Sequence, residues 1–101
     1  MPRWESPIER MLYYAMLDYG LLPTLQYEIG KYRVDFAFLE EKLIVEADGK
    51  AYHSSKRAKY RDARRERCLK VRGWKIMRFT GSQIWNDAKG CAKLVRKEIR
   101  R

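Results

Sequence analysis

Only two of the 101 residues are cysteine, Cys68 and Cys91, and only one, His53, is histidine. Such a set shows neither a disulfide framework nor a zinc-ligand spacing, which suits a reducing compartment, the cytoplasm of a bacterial or phage-infected cell. Long apolar runs are missing too. Met1 to Gly20 mixes acids and aromatics, so it reads as neither a signal peptide nor a membrane span, and no membrane partner is expected. Repeats, low-complexity tracts and linkers are absent. A chain of this length can fold around one core, so residues 1–101 are taken as a single domain. With 46% hydrophobic and 13% aromatic residues, it is a packed globule and not a disordered basic tail.

Acidic residues are scarce in one half only. Met1 to Asp48 holds five Lys/Arg against nine Asp/Glu, a balance of −4, whereas the remainder holds eighteen against four, or +14, for a net +10. Concentrated positive charge attracts nucleic acid or an anionic surface. The plainer alternative is a merely solvated basic surface.

Ser6-Pro7-Ile8-Glu9 opens a helix, with Ser6 as cap, Pro7 at the first position and Glu9 where a capping box requires it. This helix runs to about Tyr19 and stops at Gly20. Leu25–Ile29 and Arg33–Leu39 alternate as strands about a Gly30-Lys31 turn, and a turn at Glu40-Glu41-Lys42 leads to the apolar strand Leu43-Ile44-Val45. A second helix is expected from Lys56 to Arg72 with Gly73 as its stop, a fourth strand from Trp74 to Thr80, and a last helix opened by Asn86-Asp87 and carrying Leu94, Val95 and Ile99. The order αβββαβα predicts an α/β fold, a mixed central sheet flanked by helices, because a helical crossover permits a parallel fourth strand.

In Arg33-Val34-Asp35-Phe36-Ala37-Phe38, alternation puts Val34, Phe36 and Phe38 on one face and Asp35 on the other. Glu46 and Asp48 share a face of the next strand. An antiparallel turn brings the three carboxylates together, and crowded half-buried carboxylates call for a cation, with Mg²⁺ the fitting one. The alternative for Glu46 and Asp48 is a strand end turning into solvent.

Taken together, Ser6-Pro7-Ile8-Glu9, Arg33-Val34-Asp35-Phe36, Val45-Glu46-Ala47-Asp48-Gly49 with Tyr52-His53, Asp62-x-x-Arg65-x-x-x-Leu69-x-x-x-Gly73 and Trp74 to Phe79 resemble the very-short-patch-repair-like endonucleases of the PD-(D/E)-x-K restriction-endonuclease superfamily. They also resemble the phage homing-endonuclease branch that uses a Glu, Asp, His and Asp constellation. The resemblance covers nearly the whole chain and implies a restriction-endonuclease-like domain that cuts DNA. It implies Asp35 as primary metal ligand, Glu46 as the acidic member of the (D/E)-x-K element, and Ala47 as a carbonyl ligand to Mg²⁺, with Mn²⁺ as substitute. Asp48 stands where the superfamily has lysine, so proton handling passes to His53, an imidazole that titrates near neutral pH. A lone histidine also has an ordinary surface reading.

The resemblance further implies that Glu9 reaches the metal site, against its role as a helix cap. It directs Asp62 toward His53 and Arg65 toward the scissile phosphate, against an intrahelical Asp62–Arg65 pair. The second helix has nine Lys/Arg against two acids, so Arg57, Arg61, Arg64 and Arg65 are candidate phosphate contacts, as are Lys89, Lys93, Arg96 and Lys97 on the last helix. Tyr52, Trp74 and Trp85 are candidates for base stacking, with a core role favoured for Trp74 and Trp85 undecided. Two separated cysteines and one histidine cannot build the structural zinc site of the mismatch-repair enzymes, so mismatch specificity is not expected. The leading expectation is a Mg²⁺-dependent endodeoxyribonuclease. Its alternatives are a non-catalytic nucleic-acid-binding module on a degenerate nuclease fold, or a structural component that neutralises nucleic acid. A homodimer partner or a separate protein would supply specificity.

Overall fold

The computed structural model describes residues 6–48 and 55–100; the expectations for Gly49, Tyr52 and His53 lie outside them. The elements run α1 (Pro7–Asp18), β1 (Thr24–Ile29), β2 (Tyr32–Phe38), β3 (Leu43–Asp48), α2 (Lys56–Val71), β4 (Lys75–Thr80) and α3 (Gly81–Ile99). This is the expected αβββαβα order. The sheet is ordered β1-β2-β3-β4, with β1–β2 and β2–β3 antiparallel and β3–β4 parallel.

Local chemistry explains the boundaries. Ser6 caps α1 by accepting from Glu9 N, and Ser55 caps α2 by accepting from Ala58 N. Gly73, at φ +94°, takes the left-handed conformation that ends α2. α3 departs from expectation. It starts at Gly81 under a Thr80/Gln83 capping box, and Asp87 interrupts it instead of opening it, with φ −158° and ψ 67°. There Asp87 Oδ1 accepts from Gly90 N at 2.9 Å, capping the second segment from inside.

Two cores flank the sheet. On one face α1 and α3 bury Leu12, Met16, Ile84, Ala92 and Val95 against Phe36, Phe38 and Val45. On the other, α2 contributes Leu69 over Val34, Ala37, Ile44 and Trp74. Full burial of each large apolar side chain stabilises by roughly 1.5–3 kcal/mol relative to exposure. Leu94, expected on the core side of the last helix, is instead exposed, and Ile84 and Cys91 supply that side.

One expectation about strand faces is overturned. Val34 belongs to the α2-side core, while Phe36 and Phe38 belong to the opposite one. β1 switches at the same level, Leu25 packing on the α1/α3 side and Tyr27 on the α2 side. The switch falls at Gln26 and Asp35, which lie between the register pairs Leu25–Phe36 and Tyr27–Val34. Gln26 has φ +47°, a left-handed conformation that breaks regular pleat alternation. The hairpin tip beyond this break leans over α2, where Tyr27 meets Trp74 at 6.1 Å between ring centroids. Among the described residues no helix is long and apolar enough to cross a membrane.

Candidate active site

A cleft on the α2 side of the sheet is lined by Asp35, Glu46, Ala47, Asp48, Asp62, Arg65 and Arg78. β3 presents Glu46 and Asp48 on one face because strand side chains alternate. β2 delivers Asp35 at the pleat break, where its Oδ2 accepts from Ala47 N at 2.9 Å. That bond crosses from β2 to β3 and fixes one carboxylate beside the next. α2 contributes Asp62 and Arg65 from adjacent turns of one face, and parallel β4 sets Arg78 in register with Glu46. Four acids face two arginines, a local balance of −2 before any ion or phosphate enters.

Glu46 is buried, and its charge is not left bare. Arg65 forms a bidentate pair with it, Nη1 to Oε1 at 2.9 Å and Nη2 to Oε2, while Nη2 also donates to the Arg33 carbonyl at 3.2 Å. Arg78 Nε donates to Glu46 Oε1 at 3.3 Å, and its Nη1 pairs with Glu66 at 3.1 Å. The hydrogen bond it donates to Glu46 pushes the Arg65 guanidinium above its usual range, against the opposing effect of burial. Arg65 thus sits on Glu46, and no Asp62–Arg65 ion pair is among its contacts.

The other anticipated residues separate into two groups. Glu9 does not line the cleft. It is buried in α1, and its Oε1 accepts from Gln26 Nε2 at 2.9 Å, one strand across from Asp35. Arg57, Arg61 and Arg64 are exposed on α2. Lys89 and Lys93 are exposed on α3, which packs on the face of the sheet away from the cleft. Trp74 is a core residue with Lys42 Nζ 5.0 Å above its ring, and Trp85 is 69% exposed. Arg78 went unanticipated. Its only signal was a charge between the apolar residues Met77 and Phe79 of the fourth strand, and its partner depends on a parallel register that spacing does not reveal.

The donor set consists of carboxylate oxygens, the hard ligands that Mg²⁺ and Mn²⁺ prefer. Among the described residues no three acidic, histidine or cysteine side chains are gathered closely enough to hold an ion as they stand. A carboxylate has about four lone-pair directions, so Glu46 retains acceptor capacity beside Arg65. The residues fit a divalent cation chemically, once Asp35, Glu46 and Asp48 converge.

A sequence model of the restriction endonuclease family REase_MTES_1575 matches residues 8–99. Among solved structures, the one titled "Homing Endonuclease I-Bth0305I Catalytic Domain" is similar with a TM-score of 0.74 and 18% identity, covering 93% of this chain and 94% of that one. At that identity the likeness shows the fold, which is restriction-endonuclease-like. Comparison with curated proteins gave no match.

Proposed function

Since the chain belongs to the restriction endonuclease family REase_MTES_1575, we propose that it is a metal-dependent endonuclease that hydrolyses DNA phosphodiester bonds in the cleft between β3 and α2. The observation that carries this reading is that Asp35, Glu46, Asp48 and Asp62 line one cleft beside Arg65 and Arg78. A surface that only binds DNA gains nothing from four acids that repel phosphate. Asp35 and Glu46, with the Ala47 carbonyl, would hold Mg²⁺ or Mn²⁺. The ion, when bound, supplies Lewis acidity to the scissile phosphate and lowers the pKa of a water.

The chain's own groups do the rest. The Ala47 N–H orients Asp35 at the cleft. Arg78, tied to Glu46 and Glu66, positions Glu46 from the neighbouring strand β4. Arg65 carries a bidentate donor fork that suits a phosphate as well as a carboxylate, so an incoming phosphate competes with Glu46 for it. His53 is assigned proton transfer from the sequence alone, and Asp62 its orientation.

A second reading, a nucleic-acid-binding module without catalysis, draws on one observation: both Glu46 oxygens accept from Arg65. Incubating the protein with supercoiled, linear and branched DNA in Mg²⁺, Mn²⁺ or EDTA separates the two, beside an Asp35→Ala control. Divalent-dependent cleavage lost in Asp35→Ala supports the nuclease. Binding without cleavage in any divalent ion supports the module, and undiminished cleavage by Asp35→Ala removes the metal-site assignment.

A further inference from the structure

A groove between the β1–β2 turn and the outer side of α2 is lined by Lys31, Tyr32, Arg64, Arg67, Cys68, Val71 and Arg72. Four cations line it and no acid does. By contrast, Arg65 and Arg78 are seated on Glu46, and Lys70 on Glu66. Lys31, Arg64, Arg67 and Arg72 form no ion pair with any described carboxylate. Four unpaired like charges in one concavity repel each other, which favours an anion between them.

Glycine at the hairpin turn lets Arg72 reach the groove. Arg72 lies flat against Gly30, where a Cβ would come within 2.9 Å of Nη1, and Gly30 holds φ +62°. Tyr32 links the groove to the cleft residue Arg65: Lys31 Nζ lies 5.4 Å and the Arg65 guanidinium 6.0 Å from its ring centroid. The cations also continue a row. Arg57, Arg61 and Arg64 recur at i, i+4 and i+7 along α2, and Arg72 ends it. At 1.5 Å per residue that row is about 22 Å long, enough to meet several successive phosphates of one strand.

We propose that this groove is a second phosphate-binding site, holding the backbone of a DNA strand that flanks the cleft, with Lys31, Arg67 and Arg72 as contacts at its far end. The inference rests on the DNA substrate proposed above, not on cleavage. The row runs alongside Asp62 and Arg65 on the same helix, so a strand entering the cleft is carried toward the hairpin tip. An isolated phosphate would need no such row.

Cys68 makes the site testable in the unaltered protein. It lines the groove and is half-buried, whereas Cys91 is buried and its thiol is pushed up by burial, so a maleimide reports on Cys68 first. In EDTA, saturating duplex DNA should slow Cys68 labelling at least about fivefold, and inorganic phosphate at millimolar concentration should not. Protection by phosphate alone, or labelling unchanged by bound DNA, overturns the proposal. The variant Lys31→Gln/Arg67→Gln/Arg72→Gln should bind DNA at least about tenfold more weakly at 100 mM salt. Its log Kd against log salt slope should fall by about 2.7, from ~0.9 per lost contact. Wild-type affinity and slope in a folded variant would refute the assignment. Because each readout is taken without a divalent ion, a protein that binds as described and never cuts removes the nuclease reading and leaves this one standing. Failure of the wild type to bind DNA removes both.

Discussion

Removing the Glu46 carboxylate should destabilise the fold in the absence of any metal, and by an amount that its partners set. Glu46 accepts two hydrogen bonds from Arg65 and one from Arg78. Truncating one partner of a fully buried pair costs roughly 3–5 kcal/mol, because the surviving charge keeps its desolvation penalty without compensation. Here the discount for water is material: the side chains of Arg65 and Arg78 are 20% and 36% exposed, against 12% for Glu46. Glu46→Ala should therefore cost about 2–3 kcal/mol. In a domain of this size each kcal/mol moves Tm by roughly 4–8 °C, so the expected fall is on the order of 10–20 °C. Urea unfolding in EDTA measures it directly. Arg65→Ala and the double variant complete a cycle, in which the double should cost less than the sum of the singles by about 1–2 kcal/mol. A Glu46→Ala loss within about 0.5 kcal/mol of zero, or strict additivity, would refute the pairing. The same figure matters for activity, since cleavage lost in Glu46→Ala is informative only below its lowered Tm.

Asp35→Asn keeps an oxygen for the Ala47 N–H, so it should retain stability within about 1 kcal/mol while losing divalent-dependent cleavage; a melting curve beside a cleavage assay checks both. His53→Ala should cut the single-turnover cleavage rate by about a hundredfold with metal binding preserved, and a near-normal rate would return His53 to its surface reading. Gly90→Ala should fail to deliver the gain of about 1 kcal/mol usual for glycine replacement inside a helix, because the new Cβ meets the Asp87 carboxylate that caps Gly90 N; a full gain in urea would show that cap to be dispensable. Glu66 has its carboxyl lowered from 4.5, chiefly by the Lys70 hydrogen bond and then by Arg78. Its contribution is therefore present above pH 4.5 and lost as pH falls through the lowered value. Glu66→Gln should flatten the acid limb of stability by well under about 1 kcal/mol, as befits an exposed pair, and a larger change would mean a burial the structure does not show.

Much of the fold could be read from local chemistry. Ser6-Pro7, the Gly30 turn and Gly73 act through the backbone within a few residues, so their consequences need no knowledge of the tertiary partner. The parallel fourth strand followed from the helical crossover. Face assignment in β2 failed because alternation assumes a regular pleat, and nothing in Gln26 announces φ +47°. The start of α3 was written twice. Thr80-x-x-Gln83 and Asn86-Asp87 are both helix openers, and the chain uses both, the second as a cap inside a kinked helix. In the site, Asp35, Glu46 and Asp48 were legible because strand spacing and one tight turn bring them together. Arg78 was not, since which residue of β4 meets Glu46 depends on the register across a crossover of 26 residues between Asp48 and Lys75.

The division of charge along the chain takes its meaning from that crossover. The acidic half forms β2 and β3 and supplies Asp35, Glu46 and Asp48 as the cleft's floor. The basic half forms α2 and β4 and supplies Arg65 and Arg78 above it. A −4 half and a +14 half are thereby apposed where Arg65 and Arg78 meet Glu46, while the surplus positive charge is displaced outward along α2. A polyanion meets that outer row before it meets the carboxylates. The outer cations that attract it and the cleft acids that would repel it are kept on different sides of one helix, and Arg65, which belongs to α2 but faces inward, joins the two fields together with Arg78.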